Sequence, residues 1–304
     1  MTQIKVTGRL EYNYPLKKFT TWYVGGCADL VFWPKDIDDL VSFLSQVYID
    51  NNLNTLDITW LGLGSNVLIR DKGIRGIVII TANALKNLQF LDNNEVLVGA
   101  VMPCPIFAKN CNKRRLTRAE FFAGIPGTIG GALAMNAGAF GGETWSIVKE
   151  VQMINRAGVV TTRSPTDFNI SYRKVTKKFT KPEELEWFIS GIFKLSEDLD
   201  NTGTEKITQL LKLRSERQPI GTHSGGSVFK NPPDNFAAQL IDSSNLKGFT
   251  IGGAQVSTKH ANFIINDKSA SASDIEKLIL YIKQVVQQKF GVELVPEVHI
   301  LGEI

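Results

Sequence analysis

The feature of this sequence that most constrains its fold is a dense cluster of glycines in the middle of the chain. Seven glycines lie between Gly124 and Gly142, within 19 residues, where an average composition would place about one. Because glycine lacks a Cβ atom, the backbone there can turn sharply and approach a ligand closely. A run of inward-facing N–H groups would suit a diphosphate. The composition favours this interpretation over its alternative, a tight crossing of buried elements.

A second glycine loop, Gly62-Leu63-Gly64-Ser65-Asn66-Val67, follows an apolar run at residues 56–61. It lacks the third glycine of the Rossmann fingerprint and is a weak signal alone. No Gly-Lys-Ser/Thr occurs in the sequence, which excludes a Walker-type P-loop. Two small-residue loops, each after a predicted strand, would suit a large dinucleotide held at two places, and FAD is such a ligand.

A third polar segment, residues 223–232, places Ser227 among small residues. Lys230 and Asn231 follow it and offer a cation and an amide donor of the kind that phosphate recognition needs. A polar turn closed by Pro232 and Pro233 explains the same residues equally well.

Two isolated charged residues are further candidates. Arg173 follows an apolar run and carries a planar fork suited to a carboxylate, although an ordinary surface or ion-paired arginine is the more common case. Glu297 lies in the apolar segment 294–300, where burial is costly unless the group is paired or functional. Alternation with period two would instead place Glu297 and His299 on a solvated face.

The apolar patterns predict a mixed α/β and α+β chain. Strands are predicted at residues 28–33, 56–61, 67–69, 77–81, 88–91, 96–101, 148–155, 159–163 and 186–195. Asp36 is predicted to cap a helix after the first of these strands.

The C-terminal part has the pattern of a separate α+β unit. The charged run at 196–205 is predicted to be a linker or domain edge. The elements predicted beyond it are helices at 206–217 and 236–246, a strand at 261–266, a long helix with a Ser273/Glu276 capping box that ends at Gly291, and a closing strand at 294–301 that contains Pro296.

Bulk properties exclude several classes of protein. The net charge of +4 comes from scattered residues, which argues against a nucleic-acid partner. We find neither a signal peptide nor an apolar run long enough for a bilayer, and predict a cytoplasmic protein with no membrane partner. The three cysteines form no CxxC pair, and the three histidines lack ligand spacing. We therefore predict no disulfide framework and no metal site.

Eight segments together carry a family resemblance: 21–26, 62–68, 124–138, 172–173, 226–232, 252–257, 259–263 and 296–298. Among them are Gly62-Leu63-Gly64-Ser65-Asn66-Val67-Leu68 and Gly226-Ser227-Val228-Phe229-Lys230-Asn231-Pro232. In this order and spacing they resemble the UDP-N-acetylenolpyruvoylglucosamine reductase family over nearly the whole chain. The chain is similar to the shorter of the family's two types, because no long insertion separates Asn231 from Gly252.

The resemblance implies a domain organisation and a reaction. It implies an FAD-binding domain of the vanillyl-alcohol-oxidase type at residues 1–197, with subdomains of about 1–84 and 85–197, and a smaller α+β substrate domain at 203–304. The implied reaction belongs to peptidoglycan precursor synthesis. NADPH reduces non-covalently bound FAD, and the reduced flavin gives hydride to UDP-N-acetylglucosamine enolpyruvate, which forms UDP-N-acetylmuramate.

The resemblance also implies site residues. The cofactor contacts would be Gly62, Gly64, Ser65, Asn66, Val67, Leu68, Ala123, Gly124, Ile125, Pro126, Gly127, Thr128, Gly130, Gly131, Ala132, Asn136 and Gly138. The substrate contacts would be Tyr172, Lys230, Asn231, Gln255 and His260. Ser227 would deliver the proton to the carbon next to the carboxylate. Arg173, and Glu297 if protonated or bridged through water, would stabilise the enolate-like charge.

The sequence departs from the family pattern at four positions. Tyr23 stands where a basic residue is common, Val175 where serine is frequent, and His223 and Gly225 where proline and alanine are frequent. Two other functions remain as alternatives. One is an FAD-linked oxidase of the same fold, for which we find no persuasive histidine or cysteine tether, and the other is a non-catalytic nucleotide-binding module.

Overall fold

The computed structural model describes residues 4–81, 84–178 and 185–304; residues 1–3, part of the segment in which a signal peptide was sought, lie outside them. The strands β1 to β21 are Arg9–Pro15, Cys27–Trp33, Ile58–Leu61, Val67–Ile69, Ile74–Ile80, Leu88–Phe90, Glu95–Gly99, Leu116–Thr117, Gly138–Ala139, Gly142–Glu143, Val148–Asn155, Val160–Arg163, Phe168–Ser171, Lys174–Lys177, Glu186–Lys194, Ser196–Glu197, Ser224–Ser227, Thr250–Ile251, Ala254–Val256, Phe263–Asn266 and His299–Leu301. The helices α1 to α6 are Ile37–Ile49, Cys104–Lys113, Ile129–Met135, Gly203–Arg217, Ala237–Ser243 and Ala272–Phe290. Short 3₁₀ helices span Lys17–Phe19, Glu120–Gly124, Thr144–Ser146 and Pro165–Asp167.

The chain divides into two compact units, each discontinuous in sequence. The first consists of Met1–Glu11, Val31–Gly62 and Ile77–Lys212. The second consists of Tyr12–Leu30, Leu63–Gly76 and Leu213–Ile304.

The first unit has its core between helices and a five-stranded sheet of order β12-β11-β15-β7-β6, whose pairs are antiparallel. A stack of aromatic rings fills this core: Phe107, Phe122 and Phe193 are fully buried and contact one another. In the same unit β3 and β5 pair in parallel, with Ile58 opposite Ile77. Residues 77–80 are all buried, as the continuous apolar run predicts for a parallel strand covered on both faces.

The second unit has its core between α5, α6 and an antiparallel sheet of order β17-β20-β19-β18. Helix α6 buries a stripe with the spacing of one helix face, namely Ile275, Leu278, Ile279, Ile282 and Val286. The C-terminal strand β21 pairs in parallel with β4, and places His299 opposite Val67. The C-terminus therefore returns to the strand that follows the first glycine loop.

Several predicted boundaries are confirmed. Asp36 caps α1, and its side chain accepts a hydrogen bond from the Asp39 backbone. Gly291 ends α6 in the left-handed conformation, with φ of 69°. The predicted elements at 236–246 and 261–266 exist but are shorter, as Ala237–Ser243 and Phe263–Asn266.

The predicted capping box of α6 was wrong. The helix begins at Ala272, and its capping box is formed by Ser271 and Asp274, whose side chains each accept the other's backbone N–H at 3.0 Å. Glu276 has a different partner, because its carboxylate accepts two short hydrogen bonds from the Arg70 guanidinium at 2.7 and 2.9 Å. Two overlapping motifs fit the sequence, and the position of the first helical turn decides between them.

The predicted linker at 196–205 was also wrong in part. Ser196–Glu197 pairs with Leu116–Thr117, and α4 already begins at Gly203. The Asp198 carboxylate accepts from the Gly203 N–H at 2.8 Å, which explains why a charged residue can belong to an ordered helix start. The closing strand is similarly shorter than predicted, because regular pairing begins only at His299, after Pro296.

Candidate active site

The first glycine loop joins β3 to β4 and is shaped by Gly64. Its φ is 60°, and a Cβ at this position would lie 1.9 Å from the Phe19 carbonyl oxygen, so only glycine fits. The Gly64 carbonyl accepts from the Thr21 backbone N–H at 3.1 Å. The N–H groups of Leu63, Gly64 and Ser65 donate to no acceptor in the part of the chain that the structure describes. Three successive donors are thus available to anionic oxygens.

The glycine cluster contributes a second set of donors at the start of α3. Thr128 is the N-cap residue, and its hydroxyl accepts from the Gly131 N–H at 3.4 Å. Within residues 4–81, 84–178 and 185–304, the N–H groups of Gly127 and Thr128 have no acceptor. A Cβ added at Gly131 would meet only the Thr128 hydroxyl, at 3.8 Å, and a Cβ added at Gly62 would meet it at 3.3 Å. The first unit therefore brings Gly62 and the cluster together around one threonine.

Other glycines of the cluster serve packing. A Cβ at Gly130 would lie 2.9 Å from the Ala100 side chain, and its N–H already donates to the Ala100 carbonyl at 2.8 Å. At Gly142 a Cβ would lie 2.5 Å from the Phe121 ring. Both interpretations of the cluster therefore apply, to different residues. Gly130 and Gly142 allow close packing, whereas Gly127 and Thr128 offer free N–H groups.

Arg173 lies against the same cluster. It occupies the turn between β13 and β14 with φ of 53°, and is half-buried. Its guanidinium donates to the carbonyl oxygens of Asn136, at 3.3 Å, and Gly138, at 2.8 Å. Asn136, itself buried and left-handed, ends α3 and donates to Glu143 and Ser171. Arg173 is therefore held in place by the glycine cluster.

Ser227 ends strand β17, and its backbone is aligned by a buried asparagine. Ser227 pairs with Phe263, and the next residue, Val228, donates its N–H to the Asn262 carbonyl at 2.9 Å. The Asn262 side chain accepts from the Phe229 N–H at 2.9 Å and donates to the Phe229 carbonyl at 2.8 Å. The Asn262 side-chain amide thus makes the two hydrogen bonds to Phe229 that a peptide group of a neighbouring strand would make.

Glu297 lies beside Ser227 in the second unit. Its N–H donates to the Val228 carbonyl at 2.7 Å, so Ser227 and Glu297 occupy neighbouring segments. Its carbonyl accepts from the Asn66 side chain at 3.1 Å. Glu297 is half-buried, whereas His299 is exposed. The predicted solvated face therefore applies to His299 and not fully to Glu297.

His260 lines a cavity of about 370 Å³ in the second unit. The cavity is lined by Ala238, Gln239, Asp242, Ser243, Lys247, Lys259, His260 and Ala261. Burial, with a smaller contribution from the charge of Lys247, lowers the pKa of His260 below its usual 6.5. Its Nδ1 accepts from the Asn262 N–H at 3.3 Å, which places the proton of the neutral ring on Nε2. His260 is therefore a neutral hydrogen-bond donor at neutral pH.

The other predicted substrate residues have structural contacts as well. The Asn231 side-chain oxygen accepts from the Ala237 N–H at 3.1 Å at the start of α5. The Gln255 amide donates to the Gly248 carbonyl at 3.3 Å. Lys230 is half-buried, and Tyr172 is exposed with its ring 5.2 Å from the Arg173 guanidinium carbon. Asn231 and Gln255 each keep a second polar atom for a ligand.

Two of the departures from the family pattern contact each other. The rings of Tyr23 and His223 lie 4.4 Å apart between centroids. Tyr23 has φ of 56° and is 45% exposed. Gly225 packs on Trp22, where a Cβ would lie 2.5 Å from the ring. Tyr23 and His223, which both depart from the family pattern, are therefore in contact although they lie 200 residues apart in the sequence.

Asn262 lies in the segment 259–263 that carries the family resemblance, but no role was predicted for it from the sequence. It is 4% exposed and lies beside the apolar run of β20. A polar residue next to such a run is costly to bury unless it is hydrogen-bonded. The position of Asn262 beside apolar residues could therefore have indicated a structural role.

Comparisons with known proteins show which families the chain is similar to. Residues 218–301 match the family profile of the UDP-N-acetylenolpyruvoylglucosamine reductase C-terminal domain, and residues 28–164 match an FAD binding domain. A protein named UDP-N-acetylenolpyruvoylglucosamine reductase from Methylococcus capsulatus (strain ATCC 33009 / NCIMB 11132 / Bath) is 49% identical over 97% of this chain and 93% of its own length. One from Coxiella burnetii (strain RSA 493 / Nine Mile phase I) is 46% identical over 98% of this chain and 97% of its own.

This chain belongs to the UDP-N-acetylenolpyruvoylglucosamine reductase family. The crystal structure of such a reductase from Thermus caldophilus superposes with a TM-score of 0.81 at 28% identity, over 97% of this chain and all of the other. Family membership and the FAD-binding profile make the chain an FAD-containing oxidoreductase with the mixed fold predicted from the sequence.

Two further observations concern the described residues alone. None of their helices combines the length and the apolar character required to cross a membrane. They also contain no group of three histidine, cysteine, aspartate or glutamate side chains placed to hold a metal ion.

Proposed function

We propose that this chain reduces UDP-N-acetylglucosamine enolpyruvate to UDP-N-acetylmuramate with NADPH, through FAD, in peptidoglycan precursor synthesis. The observation that carries the proposal is the similarity to reductases of this name at 46% and 49% identity over nearly the full chain. The adjacency of Ser227 and Glu297 gives it a chemical basis.

The residues of the two glycine loops fit the cofactor. In the second unit, the free N–H groups of Leu63, Gly64 and Ser65 would bind anionic oxygens. In the first unit, those of Gly127 and Thr128 would do the same. Of the other predicted cofactor positions, Asn136 ends α3 and Gly124 ends the 3₁₀ helix Glu120–Gly124. FAD, when bound, supplies the hydride for the double bond, and NADPH restores the reduced flavin.

The reaction adds one hydride and one proton across the enolpyruvyl double bond. Hydride addition leaves enolate-like charge on the carboxyl-bearing side. The Arg173 guanidinium would stabilise that charge, and Glu297 would do so as a protonated carboxyl or through a bridging water. Ser227 would donate its hydroxyl proton to the carbon next to the carboxylate. The Ser227 hydroxyl is a weak acid, so its backbone must be held still, and the Asn262 and Glu297 hydrogen bonds to the adjoining residues support this.

The UDP-sugar would bind through Tyr172, Lys230, Asn231, Gln255 and His260. The supporting observation concerns His260, which lines a cavity together with Lys247 and Lys259. Lys247 is paired there with Asp242 at 2.6 Å, and the other four residues do not line this cavity. The neutral His260 ring would donate from Nε2.

We also propose the domain division predicted from the sequence, with FAD bound by residues 1–197 and substrate by 203–304. The two family profiles fall on either side of this boundary, which supports it. We infer a cytoplasmic location, because NADPH and UDP-sugars are cytoplasmic metabolites.

Anaerobic half-reactions test the function. We expect NADPH to bleach the flavin absorbance of the purified protein, and UDP-N-acetylglucosamine enolpyruvate then to restore it, with UDP-N-acetylmuramate as the product. UDP-N-acetylglucosamine, which lacks the enolpyruvyl group, is the matched control and should restore nothing. A reduced flavin that only oxygen reoxidises would contradict the proposal and favour the oxidase.

A further inference from the structure

We propose that Asn66 is a positioning residue for Glu297, in addition to its place in the first glycine loop. Its side-chain amide donates to the Glu297 carbonyl at 3.1 Å. The proposal rests on the proposed role of Glu297 in the reaction.

Glu297 is held by its backbone on two sides. On one side its N–H donates to the Val228 carbonyl at 2.7 Å, beside Ser227. On the other side its carbonyl accepts from Asn66. These two bonds place the residue between the segment that carries the proposed proton donor and the loop that carries the proposed cofactor contacts.

The Asn66 contact lies at the end of a regular ladder. Strand β21 pairs in parallel with β4 from His299 and Val67 onward, and the His299 N–H donates to the Asn66 carbonyl at 3.0 Å. Pro296 has no N–H, and regular pairing starts only two residues after Glu297. The Asn66 side-chain amide therefore extends the hydrogen bonding between β4 and β21 to Glu297, whose carboxyl group has a proposed role in the reaction.

The arrangement predicts an effect on one half-reaction. Loss of the amide donor frees the Glu297 peptide on the β4 side, and misplacement of a charge-stabilising group by a fraction of an ångström slows the chemistry it serves. Reduction of the flavin by NADPH does not use Glu297. Loss of the Asn66 amide should thus slow reoxidation by the enolpyruvyl substrate more than it slows reduction by NADPH.

Two variants test this. Asn66→Asp keeps the shape of the side chain but removes the donor, and Asn66→Ala removes the group. For each variant we compare the rate of reoxidation with the rate of reduction by NADPH, because a change in flavin binding alone would alter both. We expect the ratio of reoxidation to reduction to fall about tenfold. Asn112→Ala removes an amide hydrogen bond to the Thr204 hydroxyl (2.8 Å) in the first unit, and is the matched control.

A double-mutant cycle separates positioning from a merely structural role. In a Glu297→Gln background, Asn66→Ala should have little further effect on reoxidation, because both changes act on the same group. Full additivity would overturn the proposal, as would loss of flavin together with both half-reactions, which would make Asn66 a cofactor contact only.

Amide hydrogen exchange gives a readout that does not depend on the substrate. Asn66→Ala should speed exchange at the Glu297 and His299 amides and leave the centre of α6 unchanged. Unchanged protection at 297 and 299 would overturn the proposal. If the original protein is not reoxidised by the UDP-sugar, the proposed function fails, while the exchange result still decides whether Asn66 holds Glu297.

Discussion

Ser227 lies at the end of a strand whose neighbouring peptide groups are bonded on both sides. Asn262 aligns Val228 and Phe229, and Glu297 bonds to Val228. At the residue scale, the candidate site therefore consists of hydrogen-bonded backbone segments that carry a few reactive side chains. This suits a weak acid such as a serine hydroxyl, whose effectiveness depends on placement.

Replacement of Ser227 by alanine tests its role. We expect Ser227→Ala to be reduced by NADPH at nearly the original rate and to be reoxidised by the enolpyruvyl substrate at least about a hundredfold more slowly, the size typical of a lost general acid. Stopped-flow absorbance of the flavin measures both steps. Ser224→Ala, three residues earlier on the same strand, serves as the control. An equal loss of both half-reactions would refute the role.

The lowered pKa of His260 predicts a pH dependence of stability. The folded protein holds this ring neutral below pH 6.5, where the unfolded chain binds a proton. Its contribution is fully present above pH 6.5 and is lost as the pH falls through the folded-state pKa. Urea unfolding should therefore show a larger loss of stability from pH 7.5 to 5 for the original protein than for His260→Gln. Parallel pH profiles would contradict the prediction.

At the element scale, the first turn of helix α6 is capped by residues that lie far apart in the sequence. The Asp71 carboxylate accepts from the N–H groups of Ala272, at 3.0 Å, and Ser273, at 2.9 Å. Together with the capping box of Ser271 and Asp274, it satisfies donors that the helix leaves unpaired. The turn after β4 and the start of α6 are thereby joined.

Removal of this second cap should destabilise the protein. We expect Asp71→Ala to lower the free energy of unfolding by about 1 kcal/mol, as loss of a helix N-cap does. Asp267→Ala, which changes an exposed aspartate nearby, should change it by less than about 0.5 kcal/mol. Chemical denaturation followed by circular dichroism makes the comparison. Equal effects would show that Asp71 does not cap the helix in solution.

At the scale of the whole molecule, the cysteines are one of the two kinds of residue that could tether the flavin covalently, the other being histidine. Cys104 and Cys111 are buried in the first unit, and burial raises the pKa of Cys111 to about 12. Cys27 is half-buried. A thiol that stays protonated is a poor nucleophile, so Cys104 and Cys111 have the character of structural thiols.

Denaturation of the purified yellow protein should therefore release its flavin completely. After precipitation with acid, we expect flavin absorbance in the supernatant and none in the pellet. A protein with covalently bound flavin, treated in the same way, is the positive control and should keep its flavin absorbance in the pellet. Flavin that stays with this chain would count against the reductase and in favour of the oxidase.

The sequence by itself determined the elements with strong periodicity and the motifs with strict geometry. Helix α1 with its Asp36 cap, the end of α6 at Gly291 and the strand that the structure shows as β5 follow from local rules, because each depends on neighbours in the chain. The family and its cofactor follow from the order of the motifs. Where two local motifs overlapped, as at Ser271 and Ser273, the sequence had no means of choosing.

Only the tertiary structure decided which glycines are open and which are packed, and which residues meet. Gly130 and Gly131 are adjacent in sequence, yet one packs on Ala100 and the other is open. Likewise, Asn66 bonds to Glu297 across 231 residues of chain. Such contacts depend on the path of distant segments, and a single sequence encodes them only through the free energy of the whole fold.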